Sequence, residues 1–388
     1  MDAYGTETLF FGMSRTTAAL VAMGICYFFL FTEKANRAVA ALLTGAALVL
    51  FGVISQEAAV AAIDFNTLAL LTGMMIIVSI AEKSGMFQYA AIWGTKKVRA
   101  HPAGILAVTG IITALFSAFL DNVTTVLLIV PVIMQIAKKL EVEVYPYLLM
   151  AVFSSNIGGT ATLIGDPPNI LIGSALGLSF TDFLVNLAPA VIVIQALLIT
   201  AFVLFWRGKL ETTLQNRARV MQIDAKAAIT DAPLLKRALA VLAAVVAAFM
   251  AAHHIGLENG FIALFGAAVM LLLYTRGTDK EEADARVAAA LKGVDWTTVF
   301  FFTGLFVVVG ALEQSGFLRR LGLYFVNLSG GDIAGSTYIV LGVSALLSAV
   351  VDNIPFVATM IPVLAAMEEE MGGREAMMPV WWALSLGA

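Results

Sequence analysis

The chain has 388 residues, 60% of them hydrophobic and only 13% charged, with a formal net charge of −4 and a mean hydropathy of +0.92. Soluble domains carry about 25% charged residues, so the composition excludes a water-soluble globule and makes the lipid bilayer the main partner. The lone cysteine, Cys26, excludes an intrachain disulfide and a multi-cysteine metal site, and nothing in the charge balance points to nucleic acid.

In chain order, apolar runs fall at 13–31, 38–54, 64–81, 147–165, 184–206, 235–252, 260–274 and 296–312. A membrane span needs roughly 20 such residues, so each is a candidate span. The N-terminus does not resemble a cleaved signal, because Asp2 and Glu7 precede Arg15 where a signal is basic. Regions 104–137 and 336–366 are also apolar, but each is interrupted by an Asp-Asn pair and a later proline, which predicts re-entrant hairpins. Stretches 86–98 and 317–328 are predicted to be amphipathic helices along the interface. Segment 207–233 is polar and mixed in charge, and reads as a cytoplasmic linker with a surface helix within 211–226. A second polar insertion occupies 275–293.

One pattern occurs twice, 231 residues apart. Asp121-Asn122 returns as Asp352-Asn353, and Glu82 with Ser84-Gly85 returns as Glu313 with Ser315-Gly316. Thr72-Gly73 returns as Thr303-Gly304, Asp64 as Asp295, and Pro131 as Pro362. The fold class expected is therefore an all-α polytopic membrane protein with an internal duplication. Its first repeat covers 1–206, with a hairpin at about 104–137 and a broken helix at about 147–178. The linker 207–233 follows, and the second repeat covers 234–388, with a hairpin at about 336–366. The first repeat makes an odd number of full crossings, so the second is expected to enter the membrane inverted. Inverted repeats with discontinuous helices are the build plan of many secondary transporters. The chain ends at about the position where a second copy of Asn156 would fall, so the second repeat is expected to be incomplete.

With alternating spans, segments 32–37, 82–101, 138–145, 207–237 and 275–294 share one side and hold 19 of the 23 Lys and Arg residues. Basic loops stay cytoplasmic. That side is predicted to be inside and the N-terminus outside, in a multi-pass protein of the bacterial inner or plasma membrane.

The intramembrane carboxylates carry the chemistry. A charged side chain at membrane depth costs about 2.5–3.5 kcal/mol on insertion scales, and such groups commonly mark ion paths. Asp121 and Asp352 also suit helix starts, where Asp is a favoured cap; the two roles are compatible. Segment 154–169 (SSNIGGTATLIGDPPN) cannot form one helix, since glycine weakens a helix by about 1 kcal/mol and proline by about 3. Broken backbone at that depth must be buried or line a wet cavity. The candidate substrate and ion ligands are Asp121, Asn122, Thr124, Thr125, Ser155, Asn156, Gly158, Gly159, Thr160, Thr162, Asp166, Asn169, Asp352 and Asn353. Asp121, Asn122 and Asn156 are the candidate Na+ ligands. Neither hairpin tip contains a basic residue that would neutralise its carboxylate. Glu82 and Glu313 read as markers of a helix-end turn. No Walker-type phosphate loop occurs, so no nucleotide cofactor and no catalytic residue is expected; the coupling agent is H+ or Na+.

Segment 154–169, with Phe119–Thr125 and Val351–Phe356, resembles the ArsB/NhaD permease group of the ion transporter superfamily, which includes arsenite permeases, sodium–proton antiporters, P-protein-like permeases and more distant citrate carriers. The resemblance spans about 35 to 388. It implies re-entrant hairpins and broken helices around a midplane site, and a homodimer. It further implies export of a small inorganic ion such as arsenite, antimonite or Na+ by alternating access, with a soluble ATPase subunit as partner if the chain is an arsenite permease. A di- or tricarboxylate symporter, or an ion channel using the same cavity, is the alternative.

Overall fold

A computed structural model of the protein describes residues 13–388, and every regular element among them is helical. The first part of the chain forms α1 (Arg15–Thr32), α2 (Arg37–Leu50), α3 (Gln56–Ala61), α4 (Phe65–Glu82), α5 (Met86–Lys97) and α6 (Pro102–Ser117). It continues as α7 (Asn122–Leu140), α8 (Tyr145–Gly159), α9 (Pro167–Leu176), α10 (Phe180–Asn186) and α11 (Ala188–Phe205). The linker carries α12 (Leu214–Met221). Then come α13 (Ala232–Ile255), α14 (Asn259–Thr275), α15 (Lys280–Leu291), α16 (Trp296–Gln314), α17 (Phe317–Ser329), α18 (Ile333–Ser348), α19 (Asn353–Glu370) and α20 (Arg374–Gly387). Among the described residues six helices are long and apolar enough to cross a bilayer, or up to eight if each sharply bent pair is one span. The protein is thus a polytopic all-α membrane protein.

Two of the apolar runs form helices shorter than a full membrane span. The run 38–54 yields the 14-residue α2, because Gly52 takes a left-handed conformation (φ 69°) that ends the helix. Such a glycine at a helix C-terminus satisfies the last carbonyls without a Cβ penalty. The run 260–274 yields the 17-residue α14.

The repeat is visible in backbone geometry. Helices α4, α5, α6 and α7 start at Phe65, Met86, Pro102 and Asn122, while α16, α17, α18 and α19 start at Trp296, Phe317, Ile333 and Asn353. Each pair is separated by the same 231 residues. The matched residues do the same local work. Asp64 accepts from the Thr67 N–H and Asp295 from the Thr298 N–H, both at 3.1 Å. Ser84 donates to Ala81 O at 2.6 Å and Ser315 to Leu312 O at 2.7 Å. Gly85 and Gly316 both hold positive φ, 78° and 71°, which explains the Ser-Gly echo as a turn that only glycine adopts cheaply.

The chain forms two compact units. One contains residues up to Leu68, Leu171–Gly177 and Asp295–Ala388, so it combines α1 and α2 with α16 to α20. Within it α2 packs closely along α16. A Cβ at Gly304 would overlap the Ala41 backbone, and one at Gly45 would stand 3.3 Å from Gly304 O. The other unit contains Ala69–Ile170 and Leu178–Val294, so it combines most of α4 and all of α5 to α8 with α13 and α14. Within it α4 packs on α14, where a Cβ at Gly73 would stand 2.6 Å from the Ala263 carbonyl carbon. Gly73 and Gly304 are repeat equivalents, and each brings a long central helix against a short helix from the opposite repeat. Membrane helices associate through such small residues, because lipid supplies no hydrophobic drive between helices. The central role shows in burial: α4 and α16 are each 56% buried, against 11% for α1 and α11.

In the second of these units the linker caps helix ends. Asn216 Nδ2 donates to Leu140 O (3.2 Å), Arg217 Nη2 to Arg99 O (2.9 Å), and the Thr230 N–H to Ser84 O (3.1 Å). These are C-terminal carbonyls of α7, α5 and α4 or of the turns that follow them, groups that have no partner within their own helix.

Candidate functional site

The first hairpin is α6 and α7, joined by a tip at 118–121. Asp121 caps α7, its Oδ1 accepting from the Thr124 N–H at 2.9 Å. Among the described residues its other carboxylate oxygen has no hydrogen-bond partner. The neighbouring Asn122 ties the tip to the broken helix. Ser117 Oγ donates to Asn122 Oδ1 at 2.7 Å, and Asn122 Nδ2 donates to Asp166 Oδ1 at 3.4 Å. Asp166 and Asn169 are buried, at 6% and 1% exposure. The break between α8 and α9 spans Thr160–Asp166. Two of its carbonyls are satisfied by a side chain: Asn169 Nδ2 donates to Thr160 O (3.0 Å) and to Thr162 O (2.9 Å). Thr162 Oγ1 donates to Ala118 O and accepts from the Gly165 N–H at 3.2 Å. The glycines are needed for close approach. A Cβ at Gly159 would overlap Asn122 Oδ1, and one at Gly158 would overlap the Ala114 backbone.

The predicted ligands therefore divide. Asn122, Thr162, Asp166 and Asn169 form one hydrogen-bonded knot with the tip. Ser155 and Thr160 turn their hydroxyls onto their own helix, donating to Val152 O (2.8 Å) and Asn156 O (3.0 Å). Asn156 lies on an exposed face of α8, whereas Asp121 and Asn122 are half-buried. Thr125 is fully buried and its Oγ1 has no protein partner. Thr109 and Thr113 on α6 and Gln195 Oε1 on α11 share that state. Buried polar atoms of this kind are commonly satisfied by ordered water.

Asp121 and Thr124 line a pocket of about 80 Å³ in the same unit. Its other polar side chains are Ser79 and Glu82 from α4, and the remaining walls are apolar, including Met74 and Pro167. Glu82, exposed at the end of α4, also borders this pocket, so a second carboxylate lies on the pocket of Asp121. Nothing beside Glu82 in the sequence signals this, and its repeat equivalent Glu313 does not line the pocket of the second tip. Among the described residues no Lys or Arg lines this pocket.

The second tip differs. Asp352 caps α19, its Oδ1 accepting from the Ile354 N–H at 3.2 Å, and with Asn353 it follows α18. It lines a larger pocket of about 470 Å³ within the other unit, together with Glu33, Arg37 and Pro355. Tyr27 on α1 fixes the tip, its hydroxyl donating to Pro355 O at 2.9 Å. Arg37 Nη1 stands 4.0 Å from Asp352 Oδ2. The tips themselves contain no basic residue, as the sequence shows, but Arg37 reaches Asp352 from outside the tip. Arg37 precedes the tip by more than 300 residues, and only the packing of α2 on α16 brings it there.

Comparison with known proteins follows from this arrangement. Residues 27–387 match the family model described as CitMHS, citrate transporter. A protein of Mycobacterium tuberculosis (strain ATCC 25618 / H37Rv) named as an uncharacterized transporter is 38% identical over 377 residues, 96% of this chain and 86% of the relative. The 46 kDa membrane protein of Mycobacterium leprae (strain TN) is 37% identical over 374 residues, 95% of this chain and 85% of its own. The human P protein is 29% identical over 456 residues, and there the chain covers 97% of itself but only 54% of the relative. The chain belongs to the CitMHS citrate transporter family of the ion transporter superfamily, and is a multi-pass membrane transporter, not an enzyme.

Proposed function

We propose that the protein is a secondary active transporter in which the pocket of Asp121 and Glu82 binds the coupling cation, H+ or Na+, and which exports a small inorganic ion by alternating access. The observation that carries this reading is the pairing of two carboxylates on one pocket without a basic residue. Asp121 keeps one oxygen for the helix cap and offers the other to a cation. Both tip pockets reach residues of the segments that the basic-residue count assigns to the cytoplasm, Glu82 and Gly293 in one and Glu33 and Arg37 in the other. That supports a conformer open to the inside, with the N-terminus outside. A second reading, carboxylate symport, is favoured by the family description and by Arg37, whose guanidinium suits a carboxylate. Proteoliposomes containing the full chain test both. Imposed H+ or Na+ gradients should drive uphill movement of arsenite, antimonite or Na+ under the first reading and of citrate under the second, and Asp121→Asn should abolish coupling. Flux that only runs down its own gradient, or coupling that survives Asp121→Asn, refutes the proposal.

A further inference from the structure

The two hairpin tips are repeat equivalents, yet only one has a basic neighbour. The difference lies in the helix each central helix packs against. Ala41 of α2 meets Gly304, and Ala263 of α14 meets the equivalent Gly73, so α2 and α14 occupy corresponding places. In that register the first residue of α2, Arg37, corresponds to the first residue of α14, Asn259. A cation in one unit thus stands where the other unit has a neutral amide.

Arg37 is held in place from several sides. Its Nη2 stands 3.3 Å from Asp295 Oδ2 and donates to Thr298 Oγ1 at 2.5 Å. Its guanidinium lies over the Phe301 ring, 5.6 Å from the centroid. These contacts anchor it on α16 while Nη1 reaches toward Asp352 across the pocket at 4.0 Å. The other charged or titratable groups at this place are Glu33, which also lines the pocket, and Tyr27, bound to Pro355 O and Thr359 Oγ1. An ordinary juxtamembrane arginine has one role, holding the positive-inside orientation, and needs no anchors on three groups.

We infer that Arg37 is a built-in counter-ion for Asp352, which masks the second tip from monovalent cations and confines their binding to the pocket of Asp121 and Glu82. The inference rests on the cation reading proposed above and deepens it by assigning charge selectivity. Arginine suits this task because it never deprotonates and its fork can serve Asp295 and Asp352 together. A pair at 4 Å in a water-like surrounding is worth about a five-fold change in a cation's affinity.

The test is the thermal stability of the purified full chain titrated with NaCl or LiCl against choline chloride at constant ionic strength, since a ligand of the folded state stabilises it by mass action. Asp121→Asn should abolish the Na+ response, while Asp352→Asn should change the apparent Kd less than two-fold. Arg37→Gln should unmask Asp352 and raise Na+ affinity at that carboxylate about five-fold, seen as a stabilisation added to the wild-type response. Arg37→Lys, which keeps the charge but not the fork, should fall between wild type and Arg37→Gln, and the gain should vanish in the Arg37→Gln/Asp352→Asn double variant. An Asp352→Asn variant that loses the response as completely as Asp121→Asn overturns the masking while leaving the cation reading intact; this arm holds even if Arg37→Gln fails to fold. A gain from Arg37→Gln that persists without Asp352 also overturns it. A wild-type protein with no Na+ or Li+ response refutes the Na+ form of the cation reading, and the assignment to Arg37 falls with it.

Discussion

Asn122→Asp is the most discriminating single change at the first tip. The amide now donates from Nδ2 to Asp166 Oδ1 at 3.4 Å and accepts from Ser117 Oγ at 2.7 Å. The isosteric carboxylate keeps the Ser117 bond but replaces a donor with an acceptor facing the buried Asp166 carboxylate. Two unit charges at this separation repel by about 1 kcal/mol in a water-like surrounding and by about 5 kcal/mol at the effective dielectric of a protein site. The expected loss at neutral pH lies between these, about 2–4 kcal/mol.

Pairing the change with Asp166→Asn restores one donor and one acceptor between the two positions, so the Asn122→Asp/Asp166→Asn double variant should recover most of the loss. Parallel thermal unfolding of wild type, both single variants and the double variant in detergent at neutral pH reads the coupling directly. Losses that simply add would mean that the introduced carboxylate does not face Asp166, and the knot between tip and broken helix would be wrong.

Other substitutions test other links. Gly304→Val should cost about 1–3 kcal/mol by forcing α2 away from α16, measured as a lower Tm, whereas Gly342→Ala on α18, with open space around it, should be neutral or gain about 0.5–1 kcal/mol. Thr113→Val removes a buried hydroxyl without a protein partner, so stability should hold or rise; a loss above about 1 kcal/mol would mean that the hydroxyl has a bound water. Arg217→Ala removes both bonds to Arg99 O and should speed amide exchange in the turn at 98–101 while moving the global Tm little, a pattern read by hydrogen-exchange mass spectrometry.

The sequence was most informative where a local rule governs. Apolar length located α1, α4, α11, α13 and α16, and the Asp-Asn interruptions located both hairpins, because a cap and a glycine turn leave a fixed signature in adjacent residues. It was silent where distant segments meet. Glu82 looked like part of a turn because its neighbours Ser84 and Gly85 do form one; that α4 also lies along the first tip is a tertiary fact. Arg37 was counted only as a cytoplasmic charge, since nothing near it in sequence hints at Asp352. The broken helix was legible as a break, but not which of its oxygens turn inward. Ser155 and Thr160 spend their hydroxyls on their own helix, a local competition that composition does not reveal.

The duplication separates architecture from chemistry within this one chain. Positions kept between the repeats are those where backbone geometry leaves little choice: the caps Asp64 and Asp295, the turn residues Ser84-Gly85 and Ser315-Gly316, and the close contacts of Gly73 and Gly304. Positions that differ carry charge or hydrogen-bonding capacity near the tips: Thr124 against Pro355, and Asn259 against Arg37. Asp121 and Asp352 belong to both groups, because each is a helix cap that also presents a charge. A cap alone would tolerate Asn or Ser at little cost, and the cation role proposed for Asp121 gives its carboxylate a second use. The divergence around it matches the different work proposed for the two copies, one carboxylate sharing a pocket with a second acid and the other standing beside a guanidinium.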